Sequence, residues 1–313
     1  MMWWIGAGIA VVALLLLTGG YVFFTACMRK KDRAWLDPEA LKGTTYEKYT
    51  EHMYRADCWL KEHDAQAVSV RSNDGLELHA LWIPAENARG TILLAHGYRS
   101  TRLLDFGMVY SLYHDLGINL LVPEQRCHGS SEGKFITFGV KESEDMLAWL
   151  QMHNQQFGKV PVILSGLSMG ASTMLYLADQ PLPENVKGII ADCGFTSPKE
   201  ILGKVFRQVT HLPAGPFLFV ADLFARLFAG FSLSQKDTRK ALQNSRLPVL
   251  LVHGLGDDFV PSFMTQQAYD ACTSKKQLLM VPEAGHGTAF LKAKEEYINL
   301  VVNFLKENVD GNP

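Results

Sequence analysis

Six short apolar runs constrain this chain's fold more than anything else in it: TILLAHG, INLLVPE, VPVILSG, VKGIIADCG, LPVLLVHG and KQLLMVPEAG. Longer stretches of helical period separate them. Continuous Val/Ile/Leu runs of this length suit strands buried on both faces, and helices between them imply a mostly parallel sheet. Ahead of them, AVSVRS and LELHALWIP flank Asn73-Asp74-Gly75, the signature of an antiparallel hairpin. The expectation is an α/β fold with a sheet of about eight strands. One connection is long. Between Cys193 and Leu247 no strand pattern occurs, while ILGKVFRQV and PFLFVADLFARLFAGF have helical period. A helical cap at about 195–246 is expected within a main domain spanning about 66–308.

Composition narrows the field. Hydrophobic residues make up 48% and charged ones 20%, enough for a sizeable core and against global disorder. A net charge of −2 gives no electrostatic case for nucleic acid. Cys27, Cys58, Cys127, Cys193 and Cys272 form no C-x-x-C pair, so neither a disulfide framework nor a zinc site is expected. Their odd number suits a reducing compartment. Nothing in the sequence points to a metal or an organic cofactor.

No charged side chain occurs between Met1 and Met28, and the apolar segment is long enough to span a bilayer as a helix. Trp3, Trp4 and Tyr21 sit where interfacial aromatics would. Arg29, Lys30, Lys31 and Arg33 follow at once. A cleaved signal peptide is the alternative, but the start lacks a basic residue and the run exceeds the usual apolar region of a signal peptide, roughly 7–15 residues. A retained anchor over 1–28 is expected, with the basic cluster placing the rest in the cytoplasm. Residues 29–65 read as a polar, partly helical linker, with Tyr46, Tyr49, Met53 and Leu60 at near-helical spacing. The anchor is expected to contribute nothing to the functional site.

VILSGLSMGASTML reads as a strand, then Gly166-Leu167-Ser168-Met169-Gly170, then a helix. G-x-S-x-G at such a turn is a nucleophile elbow, where a strained serine projects its hydroxyl and small neighbours avoid clashes. A serine needs a base, usually a histidine oriented by a carboxylate. Two later strand ends carry polar loops: His253-Gly254-Leu255-Gly256-Asp257-Asp258 and Gly285-His286-Gly287. The order Ser, Asp, His points to Ser168, Asp257 and His286. Asp192, at an earlier strand end, is the second choice for the acid, and Asp258 the third. The backbone N–H groups of Tyr98 and Met169 are the expected oxyanion donors. His96 reads as support for that loop. In the loop from Pro123 to Gly133, Arg126 reads as an ion-pair anchor, and His128 precedes the serine, the wrong order for the base.

HGYRS, EQRCHGSSEG, KFITFGVKESEDMLAWL, GLSMG, ADCGFTSP, HGLGDDFVP and GHG together resemble bacterial membrane-anchored α/β-hydrolases of the serine aminopeptidase-like and dienelactone-hydrolase-like group, over about residues 66 to 307 and the anchor. The resemblance implies Ser168, Asp257 and His286 as a catalytic triad. Cys127 and Glu124 depart from its usual residues. The resemblance does not fix the substrate. The first reading is hydrolysis of a small-molecule carboxylic ester, with lipophilic substrates suggested by Phe206, Phe217, Phe219, Phe224, Phe228 and Phe231 in the cap; those rings equally suit the cap's own core. A peptidase or amidase is the alternative, and needs an acidic group for the substrate amine, with Asp222 and Glu200 as candidates. A non-catalytic membrane-tethered binding module is the third reading.

Overall fold

The computed structural model describes residues 2–31, 36–44 and 47–311. Arg33 and Tyr46 lie outside the described residues. The expected hairpin is present: β1 (Gln66–Arg71) pairs antiparallel with β2 (Glu77–Ile83) in a register from Gln66–Trp82 to Arg71–Glu77. The six apolar runs form β3 (Gly90–Ala95), β4 (Ile118–Pro123), β5 (Val162–Leu167), β6 (Val186–Asp192), β7 (Val249–Gly254) and β8 (Lys276–Val281). All eight strands join one sheet in the order β1-β2-β4-β3-β5-β6-β7-β8. β2 runs antiparallel to β4, and the sheet is parallel from β4 to β8.

The apolar runs are continuous because both sheet faces are covered. Successive residues serve opposite cores, as the two-residue period of a strand requires. Ile163 and Leu250 pack with Tyr110 and Phe304 on one side. Leu164 and Leu251 pack with Trp149 and Met174 on the other. The principal helices are α1 (Met2–Cys27), α2 (Thr50–Glu62), α3 (Val140–Gln156), α4 (Met169–Leu175), α5 (Pro198–Thr210), α6 (Gly215–Phe224), α7 (Thr238–Gln243), α8 (Phe263–Ala271) and α9 (Lys294–Val309). α2 buries Met53, Ala56 and Leu60, the apolar spacing expected of the linker helix.

The long connection holds helices, as its period indicated. Ser197 caps α5, accepting a hydrogen bond from the Glu200 amide, and Pro198 opens its first turn. α6 runs into a wide turn over Ala225–Ala229 that ends at Gly230 with φ 65°. α7 behaves differently. Its Ala241 and Leu242 belong to the core beneath the sheet, so the cap proper is α5 and α6.

α1 is long and apolar enough to cross a membrane. Its last two turns are not a free tether. Phe23 and Cys27 are buried in a third core with Phe206, Leu218 and Phe231 of the cap region and with Met169 beside the elbow. Beyond the helix, Met28 bridges Phe135, the Ile136 amide donates to the Cys27 carbonyl at 2.6 Å, and the Arg29 guanidinium donates to the carbonyls of Ser131 and Gly129. The expectation that the anchor stands apart from the site is therefore corrected: burial of an aromatic and main-chain pairing fix its end to the domain. Phe23→Ala should cost about 3–5 kcal/mol, the usual penalty for deleting a buried ring. A thermal melt of the detergent-solubilised full chain would then show a clearly lower Tm, whereas an unchanged Tm would mean the α1 end is only loosely attached.

Candidate active site

Ser168 stands between β5 and α4 with φ 57° and ψ −116°, a conformation that side-chain-bearing residues rarely adopt. The flanking glycines are required by space. A Cβ on Gly166 would lie 2.3 Å from the Gly170 carbonyl carbon, and one on Gly170 would lie 1.8 Å from the Ala95 carbonyl oxygen. The elbow thus presses against the end of β3, the loop that carries Tyr98. Among the described residues, no hydrogen bond takes up the amide of Tyr98 or of Met169. Both stay available as donors beside the serine.

The structure brings three of the expected side chains together at the carboxyl ends of β5, β7 and β8. Ser168 Oγ lies 2.9 Å from His286 Nε2, and His286 Nδ1 lies 2.7 Å from Asp257 Oδ2. Asp257 Oδ1 accepts the amides of Phe259 and Val260 at 2.9 and 2.8 Å. Burial alone would raise its pKa. The hydrogen bonds from His253 and His286, the charge of His286 and the Val260 amide outweigh burial and hold the carboxyl well below the usual range. It stays ionised, as a partner for an imidazolium must.

The competing acids fall elsewhere. Asp258 is exposed on the turn, and its carbonyl accepts from Lys204. Asp192 is buried behind the histidine with Oδ1 unpartnered, and burial pushes its pKa up to about 6. His96 is buried and neutral by desolvation; its Nδ1 donates to the Gly97 carbonyl at 2.9 Å and its Nε2 accepts the Gln125 amide at 3.0 Å. It braces the β3 loop, as expected. His128 Nε2 accepts the Arg99 amide at 2.9 Å. Arg126 is held by Asp145 and Asp74, the ion-pair anchor read from the sequence. Glu124 pairs with Arg102 at 3.0 Å, and Cys127 is buried with its thiol pushed up to about 12 by desolvation.

Two residues were not singled out in the sequence. His253, at the end of β7, is fully buried with Nε2 3.2 Å from Asp257 Oδ2. Its place four residues before the acid, at a strand end, was the available signal. Asp105 accepts the Gly97 amide at 2.6 Å and the Ser100 hydroxyl at 2.5 Å, and burial lifts its pKa to about 6. It fixes the loop from behind, and no single-sequence pattern marks it. Cys193, Asp257 and His286 hold donor atoms within 4.8 Å of one another, close enough for a metal ion. Two of them are already engaged in the row to Ser168. Burial also raises the Cys193 pKa well above normal, against the thiolate a metal would need.

A cavity of about 500 Å³ opens over Ser168 and His286. Its wall comes from Tyr98, Arg99, Asp105 and Phe259, and from Lys30 and Lys31 at the end of the amino-terminal segment. No cap residue is among its lining residues. The cap phenylalanines are instead stacked among themselves and on α1: Phe206 against Phe217, and Phe224 and Phe228 against Phe23 and Phe24.

A family model described as alpha/beta hydrolase fold matches residues 90–231. The Pyrococcus furiosus esterase Pf2001 superposes with a TM-score of 0.65 at 22% identity, over 79% of this chain and 94% of that one. The chain has the α/β-hydrolase fold. The Pyrococcus horikoshii acylaminoacyl peptidase shares the fold with a TM-score of 0.58 at 15% identity, over 81% of this chain and 43% of the peptidase. Among sequence relatives, the uncharacterized protein YqkD of Bacillus subtilis is 27% identical over 80% of this chain and 82% of its own length. An uncharacterized membrane protein of Saccharomyces cerevisiae is 22% identical, over 77% of this chain and 80% of its own length. In this fold Ser168, Asp257 and His286 lie at the carboxyl ends of β5, β7 and β8, the edge where open parallel sheets keep their sites.

Asp192 gives a pH signature. Its pKa is raised by folding, from 3.8 to about 6, so the native state binds more protons than the unfolded state across that window. Its contribution therefore makes stability fall as pH rises from about 4 to about 6. Urea unfolding at the two ends of the window should show this slope shrinking in Asp192→Asn. An unaltered slope would mean that Asp192 is not titrating there.

Proposed function

We propose that this chain is a serine hydrolase that cleaves carboxylic esters through an acyl-enzyme. The carrying observation is the continuous row Ser168 Oγ, His286 Nε2, His286 Nδ1 and Asp257 Oδ2, with contacts of 2.9 and 2.7 Å. Ser168 Oγ attacks the ester carbonyl carbon while His286 Nε2 takes its proton. The negative charge gathers on the carbonyl oxygen, where the amides of Tyr98 and Met169 stabilise it. Collapse breaks the ester C–O bond, and the departing alkoxide takes the proton from His286. A water molecule, deprotonated by His286, then attacks the acyl-enzyme and releases the acid, restoring Ser168. Asp257 holds the imidazole in the tautomer that accepts at Nε2 and offsets its positive charge.

Ester cleavage is favoured over an aminopeptidase activity by the charges around the cavity. Asp222 is occupied by Arg226, Ser232 and the Leu233 amide. Glu200 is occupied by Arg239 and Thr196. Neither is a lining residue of the cavity, whereas Lys30, Lys31 and Arg99 are, and they repel a substrate ammonium. A binding module without chemistry would have no need of a strained serine aligned on a histidine. The reading places α1 in a membrane as an anchor over residues 1–28, followed by a linker and a hydrolase domain over about 66–308. Arg29, Lys30 and Lys31 on the domain side of the span favour a cytoplasmic site.

Ser168→Ala should lower turnover of an aryl ester by at least about 10⁴-fold, and adding His286→Ala should cost little more, because the pair acts as a unit. Asp257→Asn should cost about 10⁴-fold in kcat, and Asp192→Asn far less. Rates on a matched set of aryl esters and aminoacyl amides check the whole reading. Faster cleavage of the amides would transfer it to the peptidase class, and full activity in Ser168→Ala would remove it.

A further inference from the structure

Three cations lie on the cavity wall. Among the described residues, Lys30, Lys31 and Arg99 have no carboxylate partner. Arg99 Nη2 donates to the carbonyls of Thr25 and Met28 at 2.7 and 3.2 Å, and its buried Nε has no partner. By contrast, Arg126 is neutralised by Asp145 and Asp74. The carboxylate in the cavity, Asp105, is taken up by the Gly97 amide and the Ser100 hydroxyl. Uncompensated cations beside a reactive serine favour an anionic ligand.

The depth of this wall relative to a bilayer follows from α1. About 20 helical residues cross the hydrocarbon. Counted from the interfacial pair Trp3 and Trp4, that length ends near Phe23. α6 crosses α1 before that point. A Cβ on Gly19 would lie 2.5 Å from Val220, and one on Gly20 would lie 3.2 Å from the Phe224 ring. At about 1.5 Å per residue, α6 meets α1 within roughly 5 Å of that end, level with the interfacial Tyr21. Its outward residues suit that depth: Phe219 is 76% exposed, and Leu227 in the following turn is 73% exposed. This apolar face is continuous with the bare flank of α1, which makes lipid its occupant. Lys30 and Lys31 follow the helix end at Cys27 by three and four residues, at headgroup depth.

We propose that the site takes an anionic acyl amphiphile from the membrane, a lipid ester whose phosphate headgroup is held by Lys30, Lys31 and Arg99 while its acyl carbonyl reaches Ser168. The inference rests on the ester-hydrolase reading and names its substrate class. It also gives the docked α1 end a purpose. The Ala26 carbonyl accepts from the Tyr98 hydroxyl at 2.7 Å, so the span fixes the very loop that offers the oxyanion donor.

The test uses the full-length chain in phosphatidylcholine vesicles, with Ser168 labelled by a fluorescent fluorophosphonate. Non-hydrolysable ether analogues of lysophosphatidic acid and lysophosphatidylcholine, matched in chain, compete with the label, as does inorganic phosphate. The anionic lipid should protect Ser168 at about tenfold lower concentration than the zwitterionic one, about 1.4 kcal/mol of preference. The preference should collapse in the Lys30→Gln, Lys31→Gln double variant. Equal protection by the two lipids in the unaltered chain would overturn the proposal. Protection by inorganic phosphate at the same concentration as the anionic lipid would overturn it too, since the acyl chain would then contribute nothing. Failure of Ser168 to take the label at all is a separate result that removes the hydrolase reading beneath it.

Discussion

The turn at Ser168 is the constraint on which the rest of the site depends. A serine held at φ 57° is strained, and it persists only because its surroundings fix it more strongly than it resists. Gly170 lies so close to the Ala95 carbonyl that no side chain fits. That contact locks the β5 elbow to the β3 loop. It sets the distance between the Ser168 hydroxyl and the amides of Tyr98 and Met169. The parallel order of β3, β5, β6, β7 and β8 then delivers Asp257 and His286 to the same edge. The strained turn is thus held by a sheet whose two faces are fully packed.

The amino-terminal segment enlarges this picture. Its last two turns share a core with the cap and with Met169. Its main-chain oxygens at Thr25, Ala26 and Met28 hold the side chains of Tyr98 and Arg99. A segment that looks like a tether by composition therefore behaves as a wall of the site. If it spans a bilayer, the domain has little freedom to swing away from the surface, and the cavity mouth is kept at one height.

Much of this was legible in the sequence, for identifiable reasons. Strands covered on both faces must be apolar at every position, so β3, β4 and β7 could be read without any periodicity argument. The elbow glycines are dictated by space, and the order of serine, acid and histidine by strand sequence. What was not legible depends on tertiary approach. Asp105 reaches the Gly97 amide from a short helix, a contact that no local pattern encodes. His253 supports Asp257 only because the β7 end folds back on itself. The cap rings suited a lipophilic pocket and the cap's own core equally; Phe206 and Phe217 pack on each other, and Phe224 and Phe228 pack against α1, since composition cannot say which neighbour an aromatic finds. Lys30 and Lys31 read as topology signals and turn out to lie on the cavity wall.

The central claim is that Ser168 carries the acyl group during turnover. Mass spectrometry of the full-length chain, quenched while it hydrolyses an aryl ester, tests this directly. The account predicts a mass increment equal to the acyl group, located on the peptide that contains Ser168 and absent in Ser168→Ala. An increment located on Cys193, or steady hydrolysis with no covalent intermediate under conditions where deacylation is slow, would contradict it.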